Sequence, residues 1–307
     1  MNVTFWGVRG SYPVPGPSTI KTGGHTACVE VQRAGGRLII DAGTGLRGLG
    51  KKLARTGDAG PHHILLSHVH WDHIQGLPFF EPMGDADASV VIHGLPVAAT
   101  SLREVIDGVL RPTIWPPDVG PVRAALSFCE IAPGQRLTIA GFEVSPFTLN
   151  HPFGAMGYRI DCGSGSLAYV SDTGPFCDVL HKQHFLAAPE PLTAADRRTL
   201  ENMRGDVIAT LRGVHTVIYD THFLSEEYAR FSHFGHSTPE HALEICHEAG
   251  ARRLVLYHHA PSHDDDLMDD VEARYRARGS DLAIAVDVAR EGKTLNASDS
   301  RQPESAS

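Results

Sequence analysis

Cysteine is scarce in this chain, and none of it is set out for pairing. Cys28, Cys129, Cys162, Cys177 and Cys246 are odd in number, far apart and form no CxxC. That argues against a disulfide framework and against a cysteine-rich zinc site, and leaves buried thiols in a reducing compartment as the plain reading. Long apolar runs are missing too: no stretch approaches the ~18 uninterrupted apolar residues of a membrane span. The N-terminal MNVTFWGVRGSYPVPGPS has no basic region followed by an apolar one, so the expectation is a cytoplasmic protein with no membrane partner. Blocks of positive charge are also absent. With 27 Lys and Arg against 36 Asp and Glu the formal net charge is −9. A long nucleic acid, whose affinity rests on phosphate neutralisation, is therefore set aside as a partner, while a small anion held by a buried metal is compatible with that balance.

What is present is an ordinary globular composition, 42% hydrophobic and 21% charged over 307 residues, with enough apolar mass for a large core. The reading is one domain over residues 1–296, in which 175–213 is a candidate cap insertion over the site, followed by a polar, unstructured tail at 297–307. Short β-branched runs such as NVTFWGV, RLIIDAG, HILLSH and SVVIHGL dominate the first part, and GYRIDC and SLAYVSD follow. Helical spacing appears at TSLREVIDGVL, at 190–213, after HST at 236–238 with Ser237 or Thr238 as N-cap, and near DLMDDVEARYRAR. Strands followed by helix in each half point to a two-sheet core with helices outside.

The chemistry concentrates in LLSHVHWDH. An apolar strand ends at Ser67, and His68, His70, Asp72 and His73 follow within six positions. His68 and His70, two apart in extended chain, point the same way and can grip one cation; four donors of this kind suit two ions better than one. A polar turn that happens to be rich in histidine is the bland alternative. More donors stand just past other apolar strands: His151 in FTLNHPFG, Asp172 in LAYVSDTG and His258 in LVLYHHAP. Convergence of strand ends onto one rim is what a functional site requires.

SHVHWDH, together with LNHPFG, VSDTG, GHST and LYHHAP, resembles the metallo-β-lactamase superfamily, and within it the phosphodiesterase branch that includes tRNase Z, the phosphoribosyl cyclic phosphodiesterase and bacterial cyclic-nucleotide phosphodiesterases. The resemblance implies an α+β fold of four layers, an αββα sandwich. It also implies two divalent ions, Zn or Mn, with His68, His70 and His151 on one, Asp72, His73 and His258 on the second, and Asp172 between them. Asp41 in DAGTG is then a support for the ligands, and His236 in FGHST stands beside the leaving group. Asp72 and His236 are the catalytic candidates. True metallo-β-lactamases use a cysteine where this chain has Asp172, which argues against antibiotic hydrolysis.

The activity this implies is hydrolysis of a small cyclic phosphate or cyclic nucleotide by attack of a metal-bridging hydroxide, in a possible homodimer. Alternatives are a tRNase Z-like endoribonuclease, a thioester or lactone hydrolase of the glyoxalase II type, and a non-catalytic nucleotide sensor. A capping role just before the helix competes with the acid role for His236. His222 and His233 are candidates for the pocket lining, Asp220 for support, and His259 and the His263, Asp264, Asp265, Asp266 run for gating, an extra metal or a solvated face. Arg9 and the glycine-rich start are candidates to meet a phosphate.

Overall fold

Two mixed sheets pack face to face, and helices cover their outer faces. The computed structural model describes residues 1–97, 100–111, 122–163 and 165–298. Among them the first sheet holds β1 (Asn2–Gly7), β2 (Cys28–Arg33), β3 (Gly36–Ile40), β4 (His62–Leu65), β5 (Ser89–Gly94), β6 (Ala125–Glu130) and the late strand β14 (Thr294–Asn296), in the order β14-β1-β2-β3-β4-β5-β6. The second holds β7 (Leu137–Ile139), β8 (Phe142–Leu149), β9 (Ala155–Cys162), β10 (Gly165–Val170), β11 (Thr216–Asp220), β12 (Arg253–Tyr257) and β13 (Ala285–Val288), in the order β13-β12-β11-β10-β9-β8-β7. Between the sheets lies a buried layer in which Phe5, Val31, Leu38 and Ile40 meet Phe142, Tyr158, Tyr169 and Tyr257.

Each outer face has its own apolar layer. Helix α1 (Leu46–Thr56) buries Leu46, Leu49 and Leu53 against the first sheet and stops at Gly57, whose φ of 65° closes the last turn. The short α2 (Trp71–Ile74) carries two of the donors, and α3 (Leu102–Val109) starts from a capping box at Ser101 and Glu104. Helices α4 (Ala194–Leu211), α6 (Pro239–Ala249) and α7 (Asp265–Asp281) cover the second sheet, with Val207, Ile245 and Val271 in one cluster. The seven-residue α5 (Ser225–Phe231) stands at the edge and buries none of its residues. Strands β10 to β13 run parallel and are covered on both sides, which is why LAYV, TVIYD and RLVLY are nearly unbroken apolar runs.

The segment 175–213 divides. Its helical part, α4, packs Leu200, Val207 and Leu211 into the outer layer rather than over the site; Phe185 is the part that lines the cavity. Ala297 and Ser298, assigned to the tail in the reading of the sequence, are tied to the sheet. The Ala297 amide donates to Met1 O at 2.9 Å, and Ser298 bridges to Gly165. The rest of that stretch lies outside the described residues.

Candidate metal centre

Six strand ends open onto one edge of the sandwich. Asp41 follows β3, His68 follows β4, His151 follows β8, Asp172 follows β10, Asp220 closes β11 and His258 follows β12. Asp41 and His258 take positive φ, 58° and 62°, a conformation that costs a non-glycine residue energy and turns the side chain off the strand line. Gly10 leaves room for this: a Cβ there would lie 2.5 Å from His258 Cε1 and 2.7 Å from His222 Nδ1. Gly235 (φ 84°) does the same beside His151.

The donors form two groups. His70 Nδ1 lies 2.9 Å from His68 Nε2 and 3.0 Å from His151 Nε2. Asp72 Oδ2 lies 3.4 Å from His73 Nε2 and 3.3 Å from His258 Nε2. Asp172 faces both. Its Oδ2 is 3.7 Å from His68 Nε2 and from His151 Nε2, while its Oδ1 is 3.3 Å from His73 Nε2 and from His258 Nε2. Tetrahedral ligands ~2.1 Å from an ion stand about 3.4 Å from one another, so each group has the spacing of a coordination shell. Both His68–His70–His151 and Asp72–His73–Asp172–His258 are close enough to hold a metal ion.

The hydrogen bonds explain why the right nitrogens are bare. His73 Nδ1–H donates to Asp41 Oδ2 at 2.8 Å, His151 Nδ1–H donates to Gly235 O at 2.8 Å, and His68 Nδ1–H donates to Ser67 Oγ at 3.0 Å. Each leaves Nε2 as a lone pair aimed inward. His70 Nε2, His73 Nε2 and both nitrogens of His258 are buried with no hydrogen bond, a costly state unless a partner takes up the donor and the lone pair that each neutral ring carries. Asp41 is fully buried and also accepts from the Ser67 amide, Ser67 Oγ and Tyr169 Oη, at 2.7, 2.9 and 2.7 Å. Burial pushes His68 and His151 well below the ordinary imidazole range. Burial opposes the charged form of Asp172 as well, but His258, His73 and His68 outweigh it and hold the carboxyl well below its usual value. Burial also opposes the charged form of His73, but Asp172, Asp72 and Asp41 outweigh it and raise its proton affinity well above the ordinary imidazole range. A carboxylate cluster that draws positive charge, beside the low-affinity nitrogens of His68 and His151, is a donor set that fits divalent cations.

His236 sits beside this core. Its Nδ1–H donates to Asp220 Oδ2 at 3.0 Å, and its ring stacks on His222 at 4.4 Å between centroids. Burial lowers its affinity for a proton, but Asp220, Asp172 and Asp72 together raise its pKa to about 9. Asp220 is buried and also accepts from the amides of Thr173 and His222. Thr238, not His236, caps α6.

A cavity of about 410 Å³ opens over these groups, lined by His70, Asp72, His151, Asp172, His222 and His236 together with Tyr12, Phe185, Phe223, Phe231, Phe234 and Glu227. His222 is among the lining residues. His233 packs on Phe234 and is not in the lining. His259 points away, with Nε2–H donating to Ala289 O at 3.0 Å. His263 stands behind the lining and donates to Glu227 Oε2 at 3.0 Å. Of the acids after His263, Asp264 caps α7, Asp265 accepts the Lys21 and Thr22 amides at 2.8 Å each, and Asp266 is exposed. Arg9 is corrected as well. It is fully buried and donates to Gly23 O, Ala260 O and His263 O, so it meets no phosphate. The sequence reading missed Glu227, the aromatic lining, Tyr169 under Asp41, and the Ser11 amide that donates to Asp72 Oδ2 at 2.7 Å.

Residues 36–187 match the family model of the Beta-lactamase superfamily domain. The chain belongs to the metallo-β-lactamase superfamily. This superfamily member is a hydrolase, and it is similar to the Ribonuclease Z of Haloferax volcanii, 25% identical over 99% of this chain and 95% of that protein. Among solved structures it is similar to the metallo-β-lactamase fold protein YhfI from Bacillus subtilis, with TM-score 0.66 and 19% identity over 96% of this chain and 98% of that one. It is also similar to human tRNase Z, short form, with TM-score 0.62 and 18% identity over 97% and 100%. These two likenesses show the fold. The ribonucleases overturn one expectation, that the net charge sets aside a long nucleic acid as a partner. Net charge sums the whole surface, whereas a polynucleotide meets one rim whose field is set locally. No described helix is long and apolar enough to cross a membrane.

Proposed function

We propose that this superfamily member is a two-metal phosphodiesterase that cleaves phosphodiester bonds of RNA. The observation that carries the reading is Asp172, whose two oxygens face two separate imidazole groups. In this reading His68, His70 and His151 hold one ion, Asp72, His73 and His258 hold the other, and Asp172 is shared; Zn²⁺ or Mn²⁺ suits these donors. When bound, the ions supply Lewis-acid charge for the phosphoryl oxygens and an activated water. The chain's own residues do the rest. Asp220 holds the His236 ring through Nδ1, leaving Nε2 free to give a proton to the departing oxygen, and His222 stacked on the ring fixes its plane. Two divalent charges against the carboxylates of Asp72 and Asp172 leave a centre that attracts a monoanionic diester.

RNA as the substrate is supported by the Ribonuclease Z relatives and by the aromatic rings around the cavity, which suit unstacked bases. A small cyclic phosphate or cyclic nucleotide is the second reading, favoured by a cavity of nucleotide size with no Lys or Arg in its lining among the described residues. The test is turnover of bis(p-nitrophenyl) phosphate, single-stranded RNA, cyclic nucleotides and a thioester by protein loaded with Zn²⁺ or Mn²⁺, with and without chelator. Chelator-sensitive cleavage of the simple diester and of RNA is expected. Cleavage of cyclic nucleotides with RNA left intact selects the second reading, and cleavage of the thioester alone overturns both.

A further inference from the structure

One wall of the cavity is not accounted for by the metal centre. Phe223, Phe231 and Phe234 stack in series, with centroids 5.3 Å apart at 18° and then 5.9 Å apart at 22°. The series starts 5.9 Å from the His236 ring and ends at the mouth, where Phe234 is 46% exposed. Stacked on one another, the rings offer the cavity an apolar wall that is most open at Phe234, against which a base can pack without its sequence being read. Glu227 lines the same cavity from α5. Its position is fixed: Oε2 accepts the Leu224 amide at 2.8 Å and His263 Nε2–H at 3.0 Å, and His263, itself buried, is held through its carbonyl by the buried Arg9.

A fixed carboxylate in an anion-binding cavity requires an explanation. No Lys or Arg lines the cavity among the described residues. Arg230 lies over the Phe231 ring at 5.2 Å but is exposed and outside the lining. A nucleoside on the wall meets an acceptor for its amino or hydroxyl groups, whereas a further phosphate there meets a like charge that no Lys or Arg of the lining offsets. We infer that Glu227 is a specificity-determining residue: it makes the wall of Phe223, Phe231 and Phe234 a subsite for an uncharged nucleoside and penalises one that carries an additional phosphate. The inference rests on the phosphodiesterase reading and deepens it. Scission is then favoured next to a terminal nucleoside, or where the chain leaves the cavity over its open side.

The experiment compares kcat/KM for a dinucleoside monophosphate with that for the same compound bearing a terminal phosphate at its 5′ or its 3′ end, using the metal-loaded full chain. At one of the two ends the added phosphate lowers kcat/KM by roughly tenfold or more, and Glu227→Gln brings that ratio back toward one. Glutamine keeps the hydrogen bond to the Leu224 amide that starts α5, and the ratio within one protein cancels any general loss of activity. A wild-type ratio near one at both ends overturns the inference without the variant, and so does a ratio that Glu227→Gln leaves unchanged. Bis(p-nitrophenyl) phosphate in the same preparation separates the failures: its hydrolysis with no discrimination removes Glu227 alone, whereas hydrolysis of no diester removes the phosphodiesterase reading and this inference with it.

Discussion

Two histidine-rich regions lie a few residues apart and behave in opposite ways. His62, His63 and His93 sit on β4 and β5, just before the strand end that carries His68. In the first region the rings bond one another and the backbone rather than a carboxylate: His62 Nε2–H donates to Asp58 O at 3.0 Å, and His63 Nδ1 pairs with His93 Nε2 at 3.0 Å, with His93 Nδ1 buried and unpaired. Burial pushes all three below the ordinary imidazole range, with His93 down to about 4. At the rim, by contrast, hydrogen bonds hold the outer nitrogens of His68, His73 and His151, and the inner nitrogens, with those of His258, face Asp72 and Asp172. Histidine count does not make a metal centre. The donor spacing that could hold an ion arises where carboxylates and imidazoles from several strand ends converge.

Variants break or sharpen this contrast. The largest effect is expected from Asp172→Ala, which removes the group shared by both halves. Bound metal should fall by one ion or more and diester turnover by about a thousandfold or more, since Lewis-acid stabilisation is worth several kcal/mol. Two ions and full turnover by metal analysis and kinetics would end the assignment. Next is His236→Ala, which should keep both ions and lose ~10²–10⁴ in kcat; loss of metal instead would make His236 a ligand. Asp41→Asn weakens the hold on His73, and metal titration should show an affinity lower by roughly 10–100-fold. The smallest effect belongs to the other region. His93 takes a proton near pH 4 in the fold against ~6.5 unfolded, so the stability it contributes is present above pH ~6.5 and is lost as pH falls toward 4. His93→Val should flatten the fall in Tm between pH 7 and 4.5 without changing metal content. An unchanged slope, or lost metal, would erase the difference between the regions.

Four of the candidate donors were legible because they stand just past an apolar run, where a strand must end and the chain turns at the rim. His258 follows Tyr257 directly, and His68, His151 and Asp172 come one residue later, after Ser67, Asn150 and Ser171. The sandwich was legible for the same reason, from strand runs and capped helices. Adjacent residues were harder. His258 and His259 look alike in sequence, but neighbours at a strand end point to opposite sides, and His259 turns to Ala289 O. The aspartates after His263 look like a solvated or metal-binding run; Asp264 and Asp266 are indeed exposed, while Asp264 also caps a helix and Asp265 anchors the loop at Lys21 and Thr22. Glu227 and the phenylalanine wall gave no signal, because α5 is a seven-residue edge helix with no buried stripe, and its role depends on distant residues arriving at the same cavity.

Arg9 and Gly10 have a consequence for how the protein comes into being. The Arg9 guanidinium is clamped by carbonyls 251 and 254 positions away, and Gly10 makes room for His258. A chain that leaves the ribosome from its N-terminus therefore exposes LLSHVHWDH long before the residues that complete its second half exist outside the exit tunnel. In the two-metal reading, the full donor set exists only after synthesis has passed residue 258 and the loop at 258–263 has met Arg9.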